Sequence, residues 1–248
     1  MPFTFSHPAL VIPLLRRRQR IPWLSATGLI TGSVAPDFEK FFRLQLASGH
    51  SHTLASIFYF SLPVSVALAF VFHLLVRRPL VAHLPKGLQR RVVSYQEFDW
   101  PHYFRQHYGG VLLSMVLGAA SHLFWDMFTH PNALTRHLPG ASMIVRVGSR
   151  VLDGYHVSGV LNSVLGALAI AWGVWRMPQQ PDGWTPTRAS PWGYWALVAL
   201  VAGALLVLWL LTANSYWIDF GITAISATMV GVLVASGWFR SAGLLRKR

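Results

Sequence analysis

The chain has 248 residues, 53% of them apolar and only 12% charged, with a net charge of +13. Soluble domains carry about 25% charged residues, so this composition excludes an ordinary soluble protein and points to an integral membrane protein. The absence of cysteine excludes disulfides, thiolate metal sites and cysteine nucleophiles, leaving His and carboxylates as the side chains for any metal.

The opening Met-Pro-Phe-Thr-Phe-Ser-His lacks the basic start, apolar centre and small-residue cleavage site of a signal peptide, so it is expected to remain on the mature protein. Next come Arg16, Arg17, Arg18 and Arg20, then an uncharged apolar segment, Ile21–Ala35. That segment is short for a span of about 20 residues and reads either as a compressed crossing or as a re-entrant piece. Five segments qualify as spans: Leu54–Val76, Gly109–Thr129, Val157–Trp175, Trp192–Leu211 and Phe220–Trp238. The expected fold is therefore all-α, a polytopic helical membrane protein with five clear transmembrane helices plus a short or re-entrant N-terminal segment.

Lys and Arg cluster beside these runs, as topology signals and contacts with anionic headgroups require. Membrane lipids are the expected partners, and nucleic acid is not. Basic residues follow the first, third and fifth spans (Arg77 and Arg78, Arg176, Arg246 to Arg248), so those segments and the C-terminus are expected to be cytoplasmic. The N-terminal arginines join them only if Ile21–Ala35 crosses. Residues 177–191, rich in Pro and Gly, read as a linker between a His/Asp-containing core (1–176) and a C-terminal hairpin with a basic tail (192–248) that holds no His.

Only eight carboxylates accompany eleven histidines. His122, Asp126 and His130 recur every four residues and form one stripe on a helix, each step turning about 40°. Between Arg105 and Asp126 no other Asp, Glu, Lys or Arg occurs, and an ionisable group in such a place faces a partner or a cavity. A helix end solvated at the membrane surface is the plain alternative. With the sixth crossing, Asp37, His52, Asp126, His130 and His156 fall towards one side, and Asp37 and Glu39 could point back towards the Asp126 stripe. Carboxylates with neutral imidazoles suit zinc or another first-row divalent ion. His52 is preferred over His50 because it lies nearer the membrane helix, and Asp37 reads equally well as a helix cap. His7 could be a ligand or a surface histidine. Asp153 reads as a turn residue, Asp219 as a helix-start carboxylate, His73 as a packing residue, and His83, His102, His107 and His137 as loop residues.

Four ordered blocks resemble the bacterial membrane family named domain of unknown function 4184: Met1 to Pro8, Gly32 to Glu39, Ser51-His52-Thr53, and Ser121 through Pro131. That resemblance implies a bacterial inner-membrane location but no reaction. The order His, Pro-Asp, His, His-xxx-Asp is more distantly similar to predicted membrane-bound metal-dependent hydrolases and to zinc-dependent phospholipase C. This similarity implies that Asp37, His52, His122 and Asp126 surround one metal, with Asp126 bridging to a second held by His7. The further His-xxx-Glu pair of the phospholipase pattern is absent; Ser158, Asn162 and Ser163 stand near His156 instead. The expected function is a membrane-embedded metal-dependent hydrolase acting on lipid or lipid-linked phosphoesters, with Glu39 or His130 as base or orienter. The competing expectation is a non-enzymatic membrane protein whose His/Asp cluster is a structural metal site or a polar network between helices.

Overall fold

The computed structural model describes residues 3–17, 20–130, 143–147, 150–180, 191–212 and 217–241. A 3-10 segment, Thr4–Val11, leads into α1 (Ile12–Arg16); then come α2 (Ala26–Val34), a 3-10 turn Ala35–Asp37, and α3 (Phe38–Arg43). After these follow α4 (Ile57–Ala82), α5 (Lys86–Val92), α6 (Trp100–Asp126), strands β1 (Ile144–Val147) and β2 (Arg150–Asp153), α7 (Gly154–Trp175), α8 (Pro191–Thr212) and α9 (Trp217–Ser241). Helices α4, α6, α7, α8 and α9 are long and apolar enough to cross a membrane. The protein is thus all-α in class, with one small antiparallel hairpin pairing Ile144 with Asp153.

Helix α6 begins well before the apolar run that hydropathy marks, because Asp99 Oδ1 accepts the N–H of His102 at 3.1 Å and caps its first turn. Helix α7 starts in the same way, with Asp153 Oδ1 accepting the N–H of His156 at 2.9 Å. That backbone bond, with the His156 side chain, holds the exposed Asp153 carboxyl below the usual carboxylate range. Asp153 therefore caps a helix rather than simply making a turn.

The chain divides into two compact units. The first comprises Met1–Asp37, Gly49–Val66 and His107–Trp175; the second comprises Phe38–Ser48, Ala67–Gln106 and Arg176–Arg248. Helix α6 departs from helical geometry at His107 (φ −126°, ψ 21°), where the two units meet along the chain. This division groups the C-terminal hairpin with residues of α3 to α5 rather than separating it at 177–191.

In the first unit the N-terminal segment runs along α7. Phe3 N–H donates to Ser163 Oγ at 2.8 Å, Ser6 lies over Gly166, and the Arg16 guanidinium sits 4.6 Å over the Trp172 ring. The chain then turns back, and α2 climbs beside α6. Ser25 caps α2 by accepting the Gly28 N–H, while its own N–H donates to Ser114 Oγ at 2.9 Å. Gly28 and Gly32 allow a very close approach: a Cβ on Gly28 would lie 2.7 Å from Val111 O and 2.8 Å from Ser114 Cβ, and one on Gly32 would collide with the Met115 backbone. Helix α2 has nine residues and so is about 14 Å long, less than half of a hydrocarbon core of about 30 Å. Ile21–Ala35 thus contributes this nine-residue helix, which forms the second limb of a hairpin with the N-terminal 3-10 segment and α1.

The second unit holds the α8–α9 pair. Gly231 meets the backbone of Val198, and Tyr194 Oη lies 2.9 Å from Ser236 Oγ. His83, expected in a loop, is fully buried: its Nδ1–H donates to Pro79 O at 2.7 Å and its ring stacks on Tyr194 at 4.8 Å. His73 packs as expected, stacked on Trp100 at 4.6 Å. Asp219 accepts the Leu46 N–H at 2.9 Å. Of the expected linker, Met177 and Gln180 are tied to Arg91 and Arg90 through their carbonyls; residues 181–190, like His137 and the basic tail, lie outside the described residues.

Candidate metal centre

All five residues marked as ligand candidates belong to the first unit and come together there. The N-terminal hairpin delivers two of them: the 3-10 segment carries His7, and the turn after α2 carries Asp37. The loop before α4 carries His52, and the last turns of α6 carry His122 and Asp126. His7, Asp37, His122 and Asp126 are buried, and the His52 side chain is 15% exposed.

Two carboxylates and two imidazoles alternate around a ring. His52 Nε2 lies 3.5 Å from Asp37 Oδ1 and 3.4 Å from Asp126 Oδ2; His122 Nε2 lies 3.6 Å from each of the same two oxygens. His52 Nε2, His122 Nε2 and Asp126 Oδ2 are buried atoms outside hydrogen-bond geometry with any protein atom. Donors about 2.0–2.1 Å from a tetrahedral ion are about 3.3–3.4 Å from one another, so these separations fit one small divalent ion. The donor chemistry, hard carboxylate with imidazole, fits zinc or a neighbouring first-row metal.

The other ring nitrogens are committed to groups behind the ligands. His122 Nδ1–H donates to Ser33 O at 2.7 Å, and His7 Nδ1–H donates to Thr4 O at 3.2 Å. A backbone carbonyl can only accept, so in each neutral ring the nitrogen facing the carboxylates carries a lone pair. His52 Nδ1 lies 2.7 Å from Ser51 Oγ. Asp37 Oδ2 accepts the Thr4 hydroxyl at 2.5 Å, which leaves Oδ1 towards the histidines. Asp126 uses its second oxygen differently: Oδ1 faces His7 Nε2 at 3.3 Å. Burial opposes charge on His52, but its contacts with Asp126 and Asp37 prevail and push its pKa up to about 9. The carboxylate pair thus attracts a cation, and the proton held on His52 serves that demand when no metal is bound.

Two sets of donor atoms, Asp37 with His52 and His122, and His7 with His122 and Asp126, lie within 4.8 Å of one another and could hold a metal ion. The chain belongs to the family described as domain of unknown function (DUF4184), which matches residues 1–237. No curated protein and no solved structure matches it. Family membership therefore adds no reaction to what the donor geometry implies.

The remaining candidates fall elsewhere. Glu39 is buried in the second unit and ion-paired with Arg43 at 3.1 Å. His130 is half-buried one turn beyond Asp126, its Nδ1–H directed at Asp126 O at 3.1 Å. His156 pairs with Asp153 on the surface. Thr4, Ser33 and Ser51 were not singled out from the sequence. All three lie within the blocks that carry the family resemblance, but Ser33 acts through its backbone carbonyl, which its residue type does not reveal.

Proposed function

We propose that the protein is a membrane-embedded metal-dependent hydrolase whose divalent ion, zinc by its donor set, is held by Asp37, His52, His122 and Asp126. The observation that carries this reading is His122. With Nδ1–H spent on Ser33 O, its Nε2 offers a lone pair to two carboxylate oxygens, both 3.6 Å away, in a fully buried place. A cation between them turns that repulsion into attraction.

A divalent ion at this position supplies Lewis acidity, polarising a phosphoryl or carbonyl oxygen and acidifying a water. Asp37 and His122 are locked from behind by Thr4 and Ser33, so the ion is bound in a fixed frame. His52, the most exposed of the four ligands, marks the side from which a substrate enters. His130, whose Nδ1–H is donated to Asp126 O one turn before it, is assigned to proton transfer.

A lipid or lipid-linked phosphoester is the substrate class that suits this entrance. Leu54, Phe58 and Tyr59, which follow His52 in the chain, expose 78%, 64% and 59% of their surface, an apolar rim for an acyl or prenyl chain. We place the protein in the bacterial inner membrane with its C-terminus in the cytoplasm. In the first unit, Arg16 lies over Trp172, a ring four residues before Arg176 in the chain, and this supports one positive face.

A structural metal site is the second reading, favoured by one feature: four protein ligands complete a tetrahedron, whereas catalytic zinc keeps a position open. Metal analysis of the purified protein, followed by assays on generic phosphodiesters and phospholipids, separates the two. Metal with turnover that Asp126→Ala abolishes supports the hydrolase; metal without turnover on any of these substrates supports the structural site. A metal-free wild type overturns both.

A further inference from the structure

Thr4 touches the candidate metal centre twice without being one of its ligands. Its hydroxyl donates to Asp37 Oδ2, and its carbonyl accepts His7 Nδ1–H. It is 2% exposed and sits on a 3-10 segment docked against α7, with Phe3 N–H on Ser163 Oγ and Ser6 against Gly166. We infer that Thr4 is a positioning residue for the metal centre, and that docking of the Thr4–Val11 segment on α7 is coupled to metal affinity through it. The inference rests on the metal centre proposed above.

A carboxylate can rotate about its terminal torsion and present either oxygen, or both, to an ion. By holding Oδ2, the Thr4 hydroxyl commits Asp37 to offering Oδ1, the atom 3.5 Å from His52 Nε2 and 3.6 Å from His122 Nε2. By accepting from His7 Nδ1, the Thr4 carbonyl fixes which His7 nitrogen faces Asp126, and so how Asp126 divides its two oxygens. One backbone position thereby sets the orientation of both carboxylates. Groups that orient metal ligands in this way change affinity by about 10–100-fold when removed.

The same segment offers a lever away from the ligands. A Cβ at Gly166 would lie 2.6 Å from Ser6 Cβ and 2.9 Å from Ser6 O, and because backbone is involved the segment itself must move. A Cβ at Gly173 would meet only the end of Ile12, at an ordinary 3.7 Å. Gly166→Ala should therefore loosen Thr4 from Asp37, and Gly173→Ala should not.

The test is Co²⁺ titration of the purified full-length protein, reading affinity and the visible d–d spectrum. Thr4→Val, which keeps the shape and loses the hydroxyl, is expected to weaken Co²⁺ binding by about 10–100-fold and to alter the spectrum, while Thr4→Ser restores both. Gly166→Ala is expected to weaken binding and Gly173→Ala to leave it unchanged, which keeps the test decisive if Thr4→Val does not fold. Wild-type affinity and spectrum in Thr4→Val, or in Gly166→Ala, overturn the inference while leaving the metal centre standing. A wild type that binds no Co²⁺ overturns the metal centre itself, and Thr4's role with it.

Discussion

The imidazole rings of His7 and His122 stack face to face, with centroids 3.8 Å apart and planes 13° from parallel. The stack brings Nε2 of both rings towards Asp126, at 3.3 Å from Oδ1 for His7 and 3.6 Å from Oδ2 for His122. Asp37 and Asp126 place two carboxylates on the same site, and Asp126 faces both rings. In the proposed metal centre a divalent ion would satisfy these gathered imidazoles and carboxylates together.

Metal content tests this directly. The purified wild type is expected to carry about one equivalent of a first-row metal, and His122→Ala or Asp126→Ala to carry none. His130→Ala and Glu39→Gln are expected to retain it, because neither residue contributes a donor. Elemental analysis of the four variants decides, and unchanged metal in the first two removes the shared site.

Metal binding should also release protons. His52 is held at about 9 by Asp126 and Asp37, so at neutral pH it carries a proton that an incoming ion must expel. Affinity is therefore expected to fall as pH drops below about 9, by up to tenfold per unit for each proton displaced, with little change above it. Competition titrations with a chromogenic chelator between pH 6 and 10 would show the slope; a flat profile contradicts the His52 assignment.

His83 separates stability from function. Removing its ring in His83→Ala loses the stack on Tyr194 and the bond to Pro79 O and leaves a cavity, a cost of about 2 kcal/mol or more. Thermal unfolding in detergent is expected to shift downwards while metal content stays at the wild-type level, since no candidate ligand lies in that unit.

Close contact between α2 and α6 predicts a contrast between glycines. Gly32→Ala drives a methyl into the Met115 backbone and is expected to destabilise by about 1–3 kcal/mol. Gly109→Ala meets nothing within 4 Å and should be neutral or slightly stabilising through helix propensity. Melting curves of the two variants distinguish steric packing from a general intolerance of the α6 region.

The native chain has no cysteine, which makes topology simple to read. Gly49→Cys and Gly87→Cys both place the new side chain in open space. In intact cells an impermeant maleimide is expected to label the first and spare the second; the opposite pattern reverses the proposed orientation.

The membrane class and the five spans follow from the sequence, because about 20 apolar residues in a row leave few alternatives in or out of lipid. The buried candidate residues were legible too: Asp126 in an otherwise uncharged run, and His122 one turn before it, stand out through the cost of burying them. Three things were decided only by tertiary structure. Ile21–Ala35 is apolar and short, and folding makes of it the nine-residue α2, one limb of a hairpin that carries His7 and Asp37 to the same place. His83 read as a loop residue because nothing local reveals that Tyr194, far along the chain, stacks on it. The third was the orientation of the ligands, which depends on Thr4 and on the carbonyl of Ser33. Hydropathy and residue type are local properties, and a sequence displays them. Which carboxylate oxygen faces which imidazole depends on backbone groups brought together by folding, and that only the packed structure decides.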